Sequence, residues 1–139
     1  MPTRNSYDYA VIRVVPRVER EEFVNVGVIL SCPAQDFLEA RLHVDRARLI
    51  AFDPQLDFEL LDQHLRIIPL VCSGDPAAGA IARLPPRQRF YWLVAPRSTI
   101  IQTSVAHSGL CNDTPRASLD HLMATMVLPP GAAPGTHKE

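Results

Sequence analysis

The sequence predicts an α+β fold in which an antiparallel sheet of three to four strands is covered by helices. Three apolar runs with strand-like patterns follow one another before Asp45, joined by short connectors, and this arrangement favours an antiparallel meander. Hydrophobic stripes with helical spacing dominate the rest of the chain. A length of 139 residues fits one domain. We place this domain at residues 7–128, between a flexible N-terminus (1–6) and a disordered tail (129–139).

Two strand-like segments, Tyr7–Val15 and Phe23–Cys32, form the hairpin around which the other elements are arranged. The first is apolar on both faces, as expected for a strand that is covered on both sides. In the second, strict alternation predicts one continuous apolar face: Val24, Val26, Val28, Leu30 and Cys32. Gly27 interrupts this strand and indicates a β-bulge or the close approach of another group. A third strand, Phe37–Val44, alternates like a half-exposed strand.

Capping residues mark the helices of the middle segment. Asp45 is the predicted N-cap of a short helix that ends before Asp53, and a longer helix starts after Asp57 and ends at Gly74. The core-facing stripe of the longer helix contains Phe58, Leu61, Leu65, Ile68 and Cys72. Residues 73–86 are rich in Ala, Pro and Gly and predict a surface loop.

The last third of the chain predicts two helices and one strand. Pro86 begins a short helix, with Trp92 near the edge of its apolar stripe, and Thr99–Val105 is the fourth strand. Thr114 and Pro115 start the final helix. Its stripe has the spacing i, i+3, i+4, i+7 and i+8: Leu119, Leu122, Met123, Met126 and Val127.

Composition indicates a soluble cytoplasmic protein. A net charge of -1 gives no general attraction to nucleic acid or to an anionic membrane. No apolar run approaches the roughly 20 residues that span a bilayer. The three cysteines are odd in number and widely spaced, which argues against a disulfide framework and fits a reducing compartment.

The sequence contains none of the well-marked catalytic or cofactor motifs. GxGxxG, Walker A, HExxH and GxSxG patterns are all missing from the chain, and we expect no cofactor. His107 and Cys111 are the one local pair that could bind a metal or act as a base and a nucleophile. Their spacing lacks the paired ligands of a zinc site, and no catalytic signature surrounds them, so we expect neither a metal nor a catalytic thiol.

A few polar residues interrupt the apolar pattern and form the predicted site. Arg13 lies within an apolar strand face, where an unpaired cation is unfavourable. Guanidinium, amide and hydroxyl groups together bind carboxylates and phosphates. We predict a polar recognition surface made by Arg13, Arg17, Asn25, Arg97 and Ser98.

A structural interpretation competes with this recognition surface. Arg13 would then pair with a carboxylate such as Glu21 or Asp8 and fix the register of the hairpin, and the polar residues around Arg97 would satisfy the backbone of an edge strand and its turn. A third interpretation is an enzyme that acts on a phosphate-bearing substrate. Arg17 and Arg97 should then converge on one pocket, with a carboxylate such as Glu21 within reach.

Five runs of the sequence carry a family resemblance: YDYAVIRVVPRVEREEFVNVGVILSCP, DPQLD, CSGDPAAG, WLVAPRSTIIQTS and HSGLCND. From about Tyr7 to Val127, the chain resembles the bacterial domain of unknown function 3037. The resemblance implies a neighbouring gene for a HipA-like kinase, and hence a two-gene module of the toxin–antitoxin or signalling type. It supplies no catalytic motif, so no residue role is carried over.

Three functional hypotheses follow. The first is a non-enzymatic protein-interaction partner of a HipA-like kinase, as the resemblance implies. The second is a small enzyme or binding protein that holds a phosphate-bearing ligand, such as a nucleotide or nucleic acid, in an arginine-rich cleft. The third is a homo-oligomeric structural domain, which would present an apolar edge or patch.

Overall fold

An antiparallel sheet forms the centre of the molecule. The computed structural model describes residues 5–111 and 113–130. Within them, the sheet has five strands in the order β3-β2-β1-β4, and β5 also pairs with β1. The strands are β1 (Asn5–Val14), β2 (Val24–Cys32), β3 (Phe37–Leu42), β4 (Ile101–Thr103) and β5 (His107–Cys111). The predicted α+β class and meander are confirmed, with one strand more than expected.

In the same described residues, four α-helices cover the sheet from both sides. They are α1 (Arg46–Phe52), α2 (Phe58–Ser73), α3 (Pro86–Leu93) and α4 (Pro115–Met126). Helices α1, α2 and α3 pack on one face, where the first core contains Ile12, Ile29, Leu49, Leu61, Leu65 and Phe90. Helix α4 packs on the other face, where the second core contains Val28, Leu30, Cys32, Leu119, Leu122 and Met123. Strand β1 is therefore covered on both sides, as its apolar pattern predicts.

Local chemistry sets the helix ends where the sequence predicts them. The side chains of Asp45, Asp57 and Thr114 each accept a hydrogen bond from the backbone N–H three residues later, at 3.1 Å. Gly74 ends α2 with φ 71, a conformation that favours glycine.

The predicted surface loop at residues 73–86 is wrong, because Pro76–Arg83 forms 3-10 helix. Asp75 caps this segment by accepting a hydrogen bond from the Ala77 N–H at 2.9 Å. Gly79, at φ 82, bends the segment, and Ile81 packs against the first core. Each turn is too short to show a helical stripe in the sequence.

The predicted continuous apolar face of β2 is also wrong, because a β-bulge divides it. Ile12 pairs with Gly27 while Arg13 pairs with Asn25, so Val26 is an extra residue on β2. Val24 and Val26 therefore enter the first core, whereas the residues beyond the bulge, Val28, Leu30 and Cys32, enter the second. The expectation that Gly27 marks a bulge is confirmed.

The start of β1 changes the predicted N-terminal limit of the domain. Asn5 and Ser6 belong to β1, so the first strand begins two residues earlier than predicted. Residues 1–4 of the predicted flexible N-terminus and residues 131–139 of the predicted tail lie outside the described residues.

Strands β4 and β5 run in line along the same edge of β1 and are separated by Ser104–Ala106. Strand β4 pairs with Ile12–Val14, and β5 pairs with Asn5–Tyr9. At the break, the Ser104 N–H donates to the Val11 carbonyl at 2.9 Å, and the Val11 N–H donates to the Ser104 hydroxyl at 2.9 Å. The hydroxyl thus takes the place of the backbone carbonyl that would accept this bond in a continuous strand.

Replacing Ser104 by alanine is expected to lower the free energy of unfolding by about 1–2 kcal/mol, because the buried Val11 N–H loses its acceptor. Urea unfolding followed by circular dichroism measures this change. Ser98→Ala is the control, since Ser98 is exposed and its loss should cost under about 0.5 kcal/mol. Equal stability of the two variants would contradict this role for Ser104.

Candidate functional site

Arg13 and Asn25 are cross-strand partners beside the β-bulge. The Arg13 guanidinium lies 4.0 Å from the centroid of the Phe23 ring, and the Asn25 amide donates to the Met126 carbonyl at 3.1 Å, at the end of α4. Within the described residues, neither Glu21 nor Asp8 pairs with Arg13. That alternative is wrong, and a cation–π contact takes the place of the expected ion pair.

Arg17 lies in a cleft beside the connector between β1 and β2. Its Nε is 3.4 Å from Asp53 Oδ2, and its Nη2 is 3.4 Å from Gln55 Oε1. The cleft has a volume of about 520 Å³ and is lined by Arg17, Arg20, Glu19, Glu22 and Asp53 among others. Two guanidinium groups thus face three carboxylates, a balance that does not select an anionic ligand.

Arg97 and Ser98 lie in the connector from α3 to β4. The η nitrogens of Arg97 donate to the carbonyls of Trp92 at 2.7 Å and Leu93 at 2.8 Å, so this side chain caps the end of α3. Its guanidinium also stacks on the Trp92 ring, 4.7 Å from the centroid. Ser98 is exposed. Arg97 is therefore held rigidly at the protein surface.

The five predicted site residues fall into three groups. Arg13 is placed beside Asn25, Arg97 adjoins Ser98, and Arg17 lies in a cleft of its own. The clefts that contain Arg17 and Arg97 have no described residue in common, and Glu21 lines neither of them. The convergence expected for a phosphate-binding enzyme is absent from these two clefts.

The cleft beside Arg97 is a groove between α2, α3 and β4, which we call the Trp92 groove. Its volume is about 370 Å³, and its apolar walls include Ile67 and Ile68 of α2, Trp92 and Leu93 of α3, and Ile101 of β4. His64, Arg97 and Thr103 also line it. Exposed apolar surface in a concave groove is typical of a site that binds another molecule.

The sequence carries a weak signal for this groove that the core-facing stripe of α2 obscures. Leu60 and Ile67 lie two helical turns apart, off that stripe, and are 41% and 37% exposed. They form a second apolar row on the outer side of α2. Trp92 is also 37% exposed. Only the packing of α3 and β4 against α2 shows that Ile67 and Trp92 line the same groove.

A second polar cluster lies between the sheet and α3, centred on Asp8 and Arg87. Asp8 pairs in register with Ser31 on one side and with Ser108 on the other. Arg87 binds the Asp8 carboxylate and donates to the Ser31 hydroxyl at 2.9 Å, and the Ser108 hydroxyl donates to Asp8 at 2.6 Å. Burial acts to raise the pKa of Asp8, but the hydrogen bonds from Ser108 and Arg87 outweigh it and lower this pKa below 3.8.

Asp8→Asn is expected to lower the free energy of unfolding by about 1–2 kcal/mol at pH 7. Because folding depresses the pKa of Asp8, its stabilising effect is complete above the unfolded-state pKa of about 3.9 and is lost as pH falls through the folded-state value. The difference in free energy of unfolding between the wild type and Asp8→Asn should therefore shrink below about pH 4. Urea unfolding from pH 7 to pH 3 measures it, and the control is Asp62→Asn, at an exposed position of α2. A difference independent of pH would contradict this assignment.

His107 and Cys111 do not form the catalytic pair that their sequence spacing would allow. His107 and Cys111 lie at opposite ends of β5, roughly 13 Å apart at 3.3 Å per residue, which is too far for a hydrogen bond. Burial raises the pKa of the Cys72 thiol to about 12 and also raises that of Cys32. All three cysteines are free and buried. In residues 5–111 and 113–130, no group of three or more metal-ligating side chains could hold an ion.

Comparison with known proteins identifies the family. The sequence profile of a family described as "Protein of unknown function (DUF3037)" matches residues 9–127. The chain belongs to the DUF3037 family. This match confirms the resemblance found in the sequence, and it includes β1 from Tyr9, all four helices and the Trp92 groove. No curated protein and no solved structure is detectably similar to this DUF3037 chain.

The helices of this DUF3037 protein can also be compared with the requirements of a bilayer. Among the described residues, no single helix is long and apolar enough to cross a membrane. Helix α2 and the 3-10 segment after it reach the required length only as a pair bent by 53°.

Proposed function

We propose that this DUF3037 protein is a non-enzymatic interaction partner of a HipA-like kinase, in a two-gene module of the toxin–antitoxin or signalling type. The identity of the partner comes from the family resemblance. The single observation that supports an interaction role is the Trp92 groove, which presents an exposed indole and an immobilised guanidinium above an apolar floor.

The composition of this groove suits protein recognition. Trp and Arg are enriched among the residues that contribute most to binding energy at protein interfaces. Arg97 is already ordered by its bonds to the end of α3, so binding would immobilise little additional side chain, and the entropic cost of association would be small.

The alternative of a phosphate-bearing ligand has less support from the geometry. The Arg17 cleft is lined by more carboxylates than guanidinium groups, and the η nitrogens of Arg97 already donate to backbone carbonyls. A phosphate in the Arg17 cleft would meet like charge. One near Arg97 would be attracted by the charge of the guanidinium, but it would find the η nitrogens already bonded to carbonyls, which weakens the bidentate hydrogen bonding that favours phosphate.

Co-purification with a HipA-like kinase from the neighbouring gene, which the family resemblance implies, tests the proposal. We expect a complex that persists through size-exclusion chromatography at micromolar concentration. A kinase of the same fold from an unrelated gene pair is the control and should elute separately. Separate elution of the cognate proteins at micromolar concentration would overturn the proposal.

A further inference from the structure

We propose that the Trp92 groove receives an extended segment of the partner protein, which adds as a strand to the outer edge of β4 and places an acidic side chain near Arg97 and His64. This inference rests on the interaction role proposed above and specifies its geometry.

The hydrogen-bond pattern of β4 defines its outer edge. The Val15 N–H donates to the Ile100 carbonyl at 2.7 Å, and the Ser104 N–H donates to the Val11 carbonyl at 2.9 Å. Because alternate residues of an antiparallel strand bond to the same side, Ile101 and Thr103 direct their main-chain groups away from β1. Of these groups, the Ile101 carbonyl accepts the Thr99 hydroxyl at 2.8 Å.

In the part of the chain that the structure describes, no other strand pairs with this edge. Strand β4 ends the order β3-β2-β1-β4. Outward N–H and C=O groups on an edge strand are a template for another strand, and peptide recognition by strand addition uses such an edge. Since β4 has three residues, the pairing would extend over about 10 Å.

The walls of the groove define the side chains of the added strand. Ile101 and Thr103 pair with Val14 and Ile12, so their side chains point to the same face of the sheet as the first core. Strand residues alternate between faces, and every second side chain of an added strand would point to this face too. There they would approach Ile67 and Trp92, which also line the groove, and would have to be apolar.

The charge of the lining selects an acidic residue beside the apolar ones. Among the described residues of the lining, Arg97 and His64 are the two that can carry positive charge, and none is Asp or Glu. A carboxylate at the Arg97 end would be attracted with no competing anion in the groove. The occupant is therefore an extended, mainly apolar segment with an Asp or Glu near one end.

Binding of groove variants to the kinase tests the location. Ile67→Glu should weaken binding at least about tenfold, because it places a carboxylate where apolar side chains would pack. Ile50→Glu is the matched control. Ile50 is 46% exposed on α1 and does not line the groove, so affinity should change less than about twofold. If Ile67→Glu binds like wild type, the groove is not the interface, while a wild-type complex still supports the partnership.

Strand addition has its own test. Thr103→Pro removes an outward N–H and no bond to β1, so it should weaken kinase binding about tenfold while thermal unfolding shows a folded protein. Independently of this variant, amide hydrogen exchange at Ile101 and Thr103 of the wild type should slow in the complex. Unchanged exchange at both amides would overturn strand addition, whatever the variant does.

The acidic residue is tested by a pair of substitutions at exposed His64. His64→Lys should strengthen kinase binding and His64→Asp should weaken it, each by roughly threefold to tenfold, and added salt should reduce both effects. If His64→Lys weakened kinase binding and His64→Asp strengthened it, the proposed acidic residue of the partner would be wrong. Absence of any wild-type complex would instead remove the proposed function itself.

Discussion

Replacing Arg89 by methionine is expected to lower the free energy of unfolding by about 3 kcal/mol. Arg89 is 9% exposed, and its Nη1 donates to the carbonyls of Val71 and Cys72, each at 2.7 Å. Its Nε donates to the Leu84 carbonyl at 2.9 Å. The first two carbonyls belong to the last turn of α2, where backbone donors are scarce; the Val71 carbonyl also accepts from the Gly74 N–H, at 3.2 Å. Methionine keeps most of the side-chain volume but cannot donate a hydrogen bond to any of these three carbonyls.

The position of the charge adds to this effect. A cation at the C-terminal end of a helix interacts favourably with the helix dipole, and Arg89 also ties α3 to both α2 and the end of the 3-10 segment. Urea unfolding measures the loss. Arg89→Lys should recover only part of the stability, because an ammonium group cannot reproduce the fork that spans three carbonyls.

Arg66→Met is the matched control for Arg89→Met, since Arg66 is exposed on α2. We expect it to change stability by less than about 0.5 kcal/mol. If the two variants lost equal stability, the capping role of Arg89 would be wrong.

Helix ends could be predicted from the sequence because their chemistry is local. Asp57 lies three residues before the N–H that it caps, and Gly74 adopts its left-handed conformation at the end of the helix that it terminates. Such signals need no knowledge of the rest of the fold. Strand β5 has no comparable local signal. It pairs with the N-terminal part of β1, which lies about 100 residues earlier in the chain.

The bulge in β2 shows why the face of a strand is harder to predict than its existence. Gly27 indicates a bulge, but the residue that becomes unpaired depends on the register with β1. A shift of one residue sends Val28 to the second core although Val26 enters the first. Strict alternation therefore fails at this point.

The site was predicted from residue types, and the fold uses several of those residues for its own structure. Arg97 caps α3 and Asn25 binds the end of α4. A sequence identifies such donors but not which acceptors lie within their reach. The Trp92 groove combines Ile67, Trp92 and Thr103 from three separate elements, so it becomes visible only after α2, α3 and β4 have packed together.

Gly27→Ala is expected to lower the free energy of unfolding by about 3 kcal/mol and the midpoint of thermal unfolding by roughly 10 °C. A Cβ at this position would lie 2.5 Å from the Arg41 carbonyl oxygen, 2.8 Å from Leu42 Cδ2 and 3.0 Å from Ile12 Cδ1. The nearest of these atoms belongs to the backbone of β3, with which β2 pairs. Relief of the clash therefore requires β2 and β3 to separate, which weakens their ladder.

Gly109→Ala is the matched control, because it has an equally short contact of a different kind. A Cβ there would lie 2.6 Å from Cζ and from the hydroxyl oxygen of Tyr7, and rotation of this side chain can relieve the clash at a cost of about 1 kcal/mol. Leu42→Ala in the Gly27→Ala background should restore little stability, since the Arg41 carbonyl remains in place. Thermal unfolding of the three variants distinguishes the causes. A Gly27→Ala protein as stable as Gly109→Ala would show that β3 can move away freely, and the close packing of β2 against β3 would then not explain why residue 27 is glycine.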